Sequence, residues 1–248
     1  DGMNVGIPGD VLAAETLNCT VESTRLLTPH IREIVLKTDR DDFSYRAGAF
    51  VHVIMPPHNV QFDESPTSSS IKQIWPGYNG GAASRSEEEI RRAYSLALPD
   101  NESAGRIVLN VRFMPPPDDS VDEAGVGSGF MWNLNDGDAI QVVGPLGDFH
   151  ATDNDADMIV IGGGAGMAPL RAIIRDELRQ NGSSRRIEFW YGARSEEDLF
   201  YVDEFDTLQD EHERFHWHMV LSGMQVDSSW SGSTGFVHDS VREKVLSD

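Results

Sequence analysis

Arg92-Ala93-Tyr94-Ser95 is a short segment whose side chains suit the binding of an aromatic, phosphate-bearing ligand. Its alternation is that of a half-buried strand, so Arg92 and Tyr94 point to one face and Ser95 to the other. An arginine holds a phosphate with its planar guanidinium, a tyrosine lies against an aromatic ring, and a serine reaches a ring nitrogen. These properties suit a flavin, and an ordinary barrel strand with an exposed arginine remains the alternative.

A second segment, further along the chain, changes from an apolar strand into glycines and then into a helix. Its sequence is Met158-Ile159-Val160-Ile161-Gly162-Gly163-Gly164-Ala165-Gly166-Met167-Ala168-Pro169-Leu170-Arg171. Glycines allow a tight turn and close approach to a pyrophosphate, and the following helix presents unpaired N–H groups. The segment therefore predicts a dinucleotide diphosphate site. Because its spacing is not G-x-G-x-x-G, an ordinary strand-to-helix turn remains open.

A third segment, which is also glycine-rich, lies between these two in the sequence and begins a short predicted helix. Its sequence is Gly125-Val126-Gly127-Ser128-Gly129-Phe130-Met131-Trp132. The start of a helix is an anion site for the same physical reason as above. The competing interpretation is a flexible glycine-rich loop.

These segments, taken in their order along the chain, resemble those of the ferredoxin-NADP reductase superfamily. In detail they resemble the F subunits of Na⁺-translocating NADH:quinone oxidoreductases. The strings that carry the resemblance are Arg92-Ala93-Tyr94-Ser95, Pro115-Pro116-Pro117, Ile161-Gly162-Gly163-Gly164-Ala165-Gly166-Met167-Ala168-Pro169, Phe189-Trp190-Tyr191-Gly192-Ala193-Arg194-Ser195, Phe200-Tyr201-Val202-Asp203-Glu204-Phe205-Asp206 and Thr234-Gly235-Phe236-Val237-His238. They follow the family order and span nearly the whole chain.

The resemblance implies FAD and NADH as cofactors and assigns a role to each candidate residue. Arg92 would contact the flavin diphosphate, Tyr94 would pack against the isoalloxazine or ribityl chain, and Ser95 would lie near N5, which makes Tyr94 and Ser95 the catalytic candidates. The residues implied for FAD are Arg92, Tyr94, Ser95, Gly125, Gly127, Ser128 and Gly129. The residues implied for NADH are Gly163, Gly164, Ala165, Gly166, Met167 and Arg194.

The segment after the second predicted α/β strand favours NADH over NADPH. Arg194 could hold a 2′-phosphate, but the three carboxylates of Glu196–Asp198 would repel one. A solvated helix start, where carboxylates favour the helix dipole, would show the same acidic residues.

The resemblance further implies hydride transfer from NADH to flavin N5 with no protein nucleophile. Single electrons would then pass to a [2Fe–2S] centre in an N-terminal domain of the parent chain and onward to quinone in a Na⁺-pumping complex. Other membrane subunits would be partners, at the cytoplasmic face of the inner membrane. The alternatives are the reductase component of a bacterial oxygenase and a catalytically incomplete FAD-binding fragment, since the family continues into a Cys-Gly-Pro segment beyond Asp248.

Composition excludes several other classes. The net charge of −21, from 41 acidic and 20 basic residues, argues against a nucleic-acid partner. Only three of the basic residues are lysines, and this acidic surface is typical of a salt-adapted protein. A single cysteine, Cys19, permits no internal disulfide or cysteine-based metal cluster. No apolar run reaches the roughly 18 residues of a membrane span, which predicts a soluble piece.

The elements that must position these residues divide into two patterns, and no metal site is expected. Six strand-like runs separated by turn residues predict an antiparallel barrel; they are 18–27, 31–37, 49–55, 93–98, 106–113 and 139–143. Strands and helices then alternate, which predicts a parallel sheet. His216 and His218 lack a third ligand at suitable spacing, so strand packing is favoured over metal binding.

The predicted fold class is therefore mixed β and α/β: a six-stranded antiparallel FAD-binding barrel followed by a parallel-sheet, Rossmann-like NAD-binding domain. We expect a linker at 1–15 from a missing [2Fe–2S] domain and the barrel at 16–151. An insertion at 56–91 is read as a surface excursion. The NADH-binding α/β domain would occupy 152–248 and be incomplete at its C-terminus.

Overall fold

A computed structural model describes residues 14–62, 68–75, 84–116, 123–179, 185–223 and 229–244, so most of the predicted linker lies outside the described residues. The strands are β1 (Glu15–Thr28), β2 (Ile31–Thr38), β3 (Phe50–Met55), β4 (His58–Val60), β5 (Ser84–Ser86), β6 (Ile90–Ser95), β7 (Arg106–Arg112), β8 (Ala139–Leu146), β9 (Met158–Gly163), β10 (Ile187–Ala193), β11 (Phe215–Leu221) and β12 (Ser233–Thr234). The helices are α1 (Ser68–Ile74), α2 (Asp100–Ser103), α3 (Val126–Asn133), α4 (Met167–Arg179), α5 (Val202–Glu211) and α6 (Val237–Lys244).

The first half forms a six-stranded antiparallel sheet in the order β6-β3-β8-β1-β2-β7. A bridge between Leu96 and Leu109 joins the two outer strands, and the amide of Ala97 donates to Val108 O at 2.9 Å. The sheet therefore closes into a barrel. Buried and exposed residues alternate along some of its strands, so one face of these strands points into the barrel. In β1, for example, Leu17, Cys19 and Val21 are buried and the residues between them are exposed.

The segment predicted as an insertion contributes to the barrel core. Val60, Phe62 and Ile71 are buried, and the Phe62 ring lies 5.7 Å from that of Phe113. The expected surface excursion is therefore wrong for these residues, because isolated apolar side chains within a polar sequence are buried against the barrel. The expected end of the insertion at residue 91 also differs, because β6 begins at Ile90.

The second half forms a parallel four-stranded sheet in the order β12-β11-β10-β9. Helices α4 and α5 pack on one face of it, in a cluster that includes Leu170, Phe189 and Phe205. Helix α6 covers the other face through Val241, which packs with Trp190. The predicted fold class, a barrel followed by a parallel α/β sheet, is confirmed.

Side chains from both sheets pack together where the two halves meet. Ala97 and Val108 of the barrel contact Ala168 at the start of α4, and Ile31 of β2 belongs to the core of the α/β half. These contacts hold the glycine segment that precedes α4 beside the barrel. Within the described residues, none of the helices is both long and apolar enough to cross a membrane.

Candidate functional site

The end of the barrel nearest the α/β half contains a cavity of about 590 Å³. Strands β6 and β7 and the start of α3 line it from the barrel, and Ala165 and Ala168 line it from the other half. Its barrel residues are Arg92, Ala93, Tyr94, Ser95, Asn110, Arg112, Met114, Gly125, Val126, Gly127 and Ser128. The structure thus brings six of the seven predicted FAD residues to one cavity, which is within the size range of ligand sites.

Tyr94 and Gly127 explain how β6 and α3 meet at this cavity. A Cβ on Gly127 would lie 2.8 Å from Cγ of Arg92 and 3.5 Å from the Tyr94 hydroxyl, so a side chain there would force the helix away from the strand. Burial raises the pKa of Tyr94 to about 12, and the charge of Arg92 opposes this increase. The phenol is therefore neutral near pH 7 and can pack or donate a hydrogen bond, but it is not a base.

The start of α3 places Ser128 in the cavity and Gly129 behind it. The Ser128 hydroxyl donates to Gly125 O at 3.0 Å and accepts from the Met114 amide at 3.2 Å. The Gly129 amide donates to Gly125 O at 2.8 Å, and a Cβ on Gly129 would lie 2.4 Å from that of Ser84. Gly129 does not line the cavity, and close packing of α3 on β5 accounts for its lack of a side chain.

A second cavity of about 320 Å³ lies at the carboxyl ends of the parallel strands, where α/β sheets bind ligands. The turn between β1 and β2 completes it from the barrel side. Its lining residues are Thr28, His30, Ile31, Arg112, Gly163, Gly164, Gly192, Ala193, Arg194, Asp198, Val220, Ser222, Gly235, Phe236 and Val237.

The predicted glycine turn lies between the two cavities. Gly163 and Gly164 line the second cavity, whereas Ala165 lines the first. Gly164 has a φ of +54°, which favours glycine, and Gly164–Gly166 form a single 3₁₀ turn before α4. A Cβ on Gly163 would lie 2.7 Å from Gly192 O, so β9 and β10 approach closely there.

Two of the residues predicted for NADH line neither cavity. Met167 is fully buried in the core of the α/β half and begins α4. Gly166 is exposed, and a Cβ there would meet no atom within 4 Å. The residues that the structure does bring to the second cavity are Gly163, Gly164 and Arg194.

Three arginines at these cavities form no ion pair with any described residue: Arg92, Arg112 and Arg194. Each is exposed, and Arg112 lines both cavities. Most arginines elsewhere in the described residues contact a carboxylate, as Arg91 contacts Glu89 at 3.3 Å. In a chain of net charge −21, unpaired guanidinium groups at two adjacent cavities indicate sites for anions.

Sequence reasoning missed Asn110, Arg112, Thr28 and His30. All four come from strands or turns far in sequence from the glycine segments, and only the closed barrel brings them to the site. The spacing of Asn110 and Arg112 places both on one face of β7, and that alternation was the available signal.

The acidic segment after β10 lies at the rim of the second cavity. The Ser195 hydroxyl and amide both donate to Asp198 Oδ2, at 3.0 and 3.2 Å. Asp198 lines the cavity, and Glu196 and Glu197 are exposed. The acidic residues therefore place negative charge close to Arg194 in the sequence and at the same cavity.

Of the two histidines of β11, His218 takes part in ring stacking and hydrogen bonding. His218 stacks on Trp190 with ring centroids 4.1 Å apart, and its Nε2 lies 2.6 Å from Glu188. Among the described residues, no group of three or more His, Cys, Asp or Glu side chains is arranged to hold a metal ion.

Known proteins resemble this chain along nearly its full length. Residues 160–248 match the family described as the oxidoreductase NAD-binding domain. The F subunit of the Na⁺-translocating NADH-quinone reductase of Idiomarina loihiensis is 39% identical over 249 residues, which cover 99% of this chain and 61% of that protein. Its counterpart in Pseudomonas aeruginosa is 39% identical over 248 residues, with coverages of 99% and 61%.

The solved structure of a cytochrome P450 reductase from Amycolatopsis superposes with a TM-score of 0.68 at 27% identity. It matches 94% of this chain and 59% of its own. The chain spans 61% of the length of the Idiomarina and Pseudomonas relatives.

Proposed function

We propose that the chain is a member of the ferredoxin reductase-like superfamily, related to the F subunit of Na⁺-translocating NADH-quinone reductase, and that it is the module in which NADH reduces a bound FAD. The flavin would occupy the barrel cavity, and NADH the cavity of the α/β half. The meeting of these two cavities at one glycine turn supports this oxidoreductase function.

The observation that carries the proposal is the placement of Arg92, Arg112 and Arg194. FAD and NADH each contain a diphosphate, and a planar guanidinium without a carboxylate partner is suited to bind one. Arg92 lies in the barrel cavity, Arg194 in the other, and Arg112 lines both. A strongly acidic chain that leaves these cations unpaired supports two anionic ligands bound side by side.

The barrel cavity fits FAD by its size and its donors. Arg92 and the amides at the start of α3 would hold the diphosphate, since the first N–H groups of a helix have no intrahelical acceptor. Tyr94 would pack along the flavin, and Ser95 would lie beside the ring. Bound FAD would supply an acceptor for two electrons that can release them one at a time. Donation from Ser128 to a phosphate would replace its bond to Gly125.

The second cavity fits NADH through its backbone. Gly164 leaves space for a diphosphate at the turn that precedes α4, Gly163 lines the same cavity, and Arg194 adds positive charge. Asp198 at the rim would repel a 2′-phosphate, which favours NADH over NADPH.

The work of the protein side chains is positioning. No nucleophile is needed, so the residues of the two cavities have only to hold two rings face to face and exclude water between them. Ser95 and the neutral Tyr94 would orient the ring, and Ala165 and Ala168 are small enough to leave room for a second ring above it.

The steps beyond flavin reduction are proposed from the relatives. The name of those relatives includes Na⁺ translocation and a quinone, so we propose onward transfer through a [2Fe–2S] centre of the parent chain toward quinone. Partner subunits at the cytoplasmic face of a membrane belong to the same proposal. The alternative, an oxygenase reductase component, rests on a more distant likeness at 27% identity.

Flavin retention followed by NADH addition tests the proposed function. The chain is loaded with FAD, desalted, and mixed with NADH or NADPH without oxygen. We expect about one flavin per chain and loss of its absorption with NADH, more slowly with NADPH. Failure to retain flavin would overturn the proposal, and retained flavin that NADH does not bleach would favour the catalytically incomplete fragment.

A further inference from the structure

A buried polar cluster links the two halves of the molecule directly behind the two cavities. Tyr201, which precedes α5, donates its hydroxyl to Glu33 of β2 at 2.5 Å and accepts from Nδ2 of Asn110 of β7 at 2.8 Å. Its backbone has φ +60° and ψ 22°, a conformation that is uncommon for a bulky residue. An unfavourable backbone that aims a side chain across a boundary points to a specific role.

Arg171 of α4 completes this cluster. Its guanidinium lies 4.1 Å from the centroid of the Tyr201 ring and donates to Ala97 O of the barrel at 3.0 Å. It also donates to both carboxylate oxygens of Glu204, at 2.8 Å each. We call Glu33, Asn110, Arg171, Tyr201 and Glu204 the interdomain cluster.

The cluster is attached to the barrel at residues next to the flavin site. Ala97 follows Ser95 by two residues, and Asn110 lines the barrel cavity two residues before Arg112. Any shift of the Arg171 or Tyr201 side chain relative to the barrel therefore changes the position of the α/β half over β6 and β7.

The cluster is attached to the α/β half at residues next to the glycine turn. Arg171 lies in the second turn of α4, the helix that begins directly after Gly164–Gly166. Tyr201 closely follows the acidic segment at the rim of the second cavity. The cluster is thus attached close to the residues on both sides of the gap between the cavities.

The hydrogen-bond directions in the cluster are fixed. Tyr201 has one proton, which goes to the Glu33 carboxylate, so its oxygen must accept from the Asn110 amide. Arg25 occupies the other Glu33 oxygen at 2.6 Å. Oδ1 of Asn110 is left buried without a hydrogen-bond partner among the described atoms, which is the kind of cost that functional sites retain.

We propose that the interdomain cluster sets the distance and angle between the flavin strand and the glycine turn, and that Tyr201 is a positioning residue for hydride transfer. The inference rests on the proposed function. It assigns Tyr201 no contact with either cofactor: the residue acts through Asn110 and Glu33, on the barrel that it holds.

Tyr201→Phe tests the proposal, with Tyr45→Phe as the matched control. Tyr45 is also a buried tyrosine, but its hydroxyl donates to Leu98 O at 3.1 Å within the barrel. In Tyr201→Phe we expect FAD affinity within about twofold of the parent and roughly tenfold slower flavin reduction at saturating NADH, since small misplacements of reacting groups slow reactions by this order or more. Tyr45→Phe should melt lower without slowing reduction.

Hydrogen exchange gives a readout that does not depend on activity. In Tyr201→Phe, the amides of 92–98 and 163–171 should exchange faster together, whereas Tyr45→Phe should leave 163–171 unchanged. Unchanged exchange at 163–171 in Tyr201→Phe would overturn the proposal, and so would equal slowing of reduction in both variants.

Glu33→Gln keeps the test decisive if Tyr201→Phe does not fold. It retains the shape and an acceptor while weakening the same bond, and the double variant should be no slower than the slower single variant if both act through that bond. Additive slowing would contradict the proposal. A parent chain that retains no flavin would instead refute the proposed function, so the two failures are distinguishable.

Discussion

The two cavities are built in different ways. Side chains on a strand and a helix wall the barrel cavity, with Tyr94 half-buried and Ser128 already hydrogen-bonded to Gly125 and Met114. The second cavity includes four glycines, Gly163, Gly164, Gly192 and Gly235, near the ends of the parallel strands, and Arg194 is exposed beside them. The first arrangement suits a resident cofactor, and the second suits a ligand that binds and leaves.

Arg112 is the exception to this contrast because it lines both cavities. It comes from β7, the strand that also provides Asn110 to the interdomain cluster. One strand of the barrel therefore contributes to the proposed FAD cavity, to the proposed NADH cavity and to the connection between them.

Arg92→Ala should give the largest effect and only on the barrel side. Loss of charge-assisted hydrogen bonds to a diphosphate should weaken FAD binding about 100-fold, whereas NADH binding should change little. Titration of flavin fluorescence measures the FAD affinity. Arg91→Ala is the control, because the neighbouring Arg91 contacts Glu89 at 3.3 Å and does not line the cavity. Equal losses in the two variants would contradict the assignment.

Gly163→Ala should act on the second cavity alone. The new Cβ would lie 2.7 Å from Gly192 O, so the turn must shift, and we expect roughly tenfold weaker NADH binding with unchanged FAD affinity. A Cβ on Gly166 would meet nothing within 4 Å, so Gly166→Ala should keep the melting temperature of the parent while Gly163→Ala lowers it. If Gly163→Ala bound NADH as tightly as the parent chain does, the glycine turn would not be part of the NADH site.

Arg112→Gln should affect both cavities, unlike the two preceding substitutions. Because Arg112 lines both, the affinities for FAD and NADH should each fall several-fold, by about 1 kcal/mol. Separate titrations of the two ligands measure this. A loss confined to one ligand would place Arg112 in that site only.

Acidification should weaken the contacts of Glu204 in the interdomain cluster and so lower the stability of the chain. Burial raises the pKa of Glu204, but hydrogen bonds and charges from Arg171 and Arg175 outweigh it and hold that pKa below its ordinary value of 4.5. A carboxylate whose pKa is lowered in the folded state stabilises that state at pH values above its ordinary pKa. This stabilisation is lost as the pH falls through the pKa of the folded state. We therefore expect an unfolding free energy that decreases as the pH falls below 4.5, measured by denaturant titration. Glu204→Gln should flatten this pH dependence, and an unchanged slope would contradict the assignment.

Much of the fold could be predicted from local patterns. Alternation in β1 and the strand–turn–helix order around Gly162–Gly166 depend on neighbouring residues, and these elements formed as expected. The buried role of Phe62 and Ile71 could not be predicted, because their sequence context is polar and only the closed barrel provides a surface to cover them.

The site could be predicted in part for the same reason. Segments with several functional residue types, such as Arg92–Ser95, are visible in sequence, whereas single contributions such as Arg112 become visible only when distant strands meet. Tyr201 lies directly before α5, and its left-handed backbone and its bond to Glu33 depend on the docking of two sheets, which local patterns do not describe.

The most direct test is flavin reduction by NADH carrying deuterium at one or the other C4 position. If the two cavities hold the rings face to face, the absorption of bound FAD should be lost at one NADH per flavin, and deuterium should slow this at one of the two C4 positions only. Binding of both ligands without loss of flavin absorption, or an equal isotope effect at both positions, would contradict a shared, oriented site.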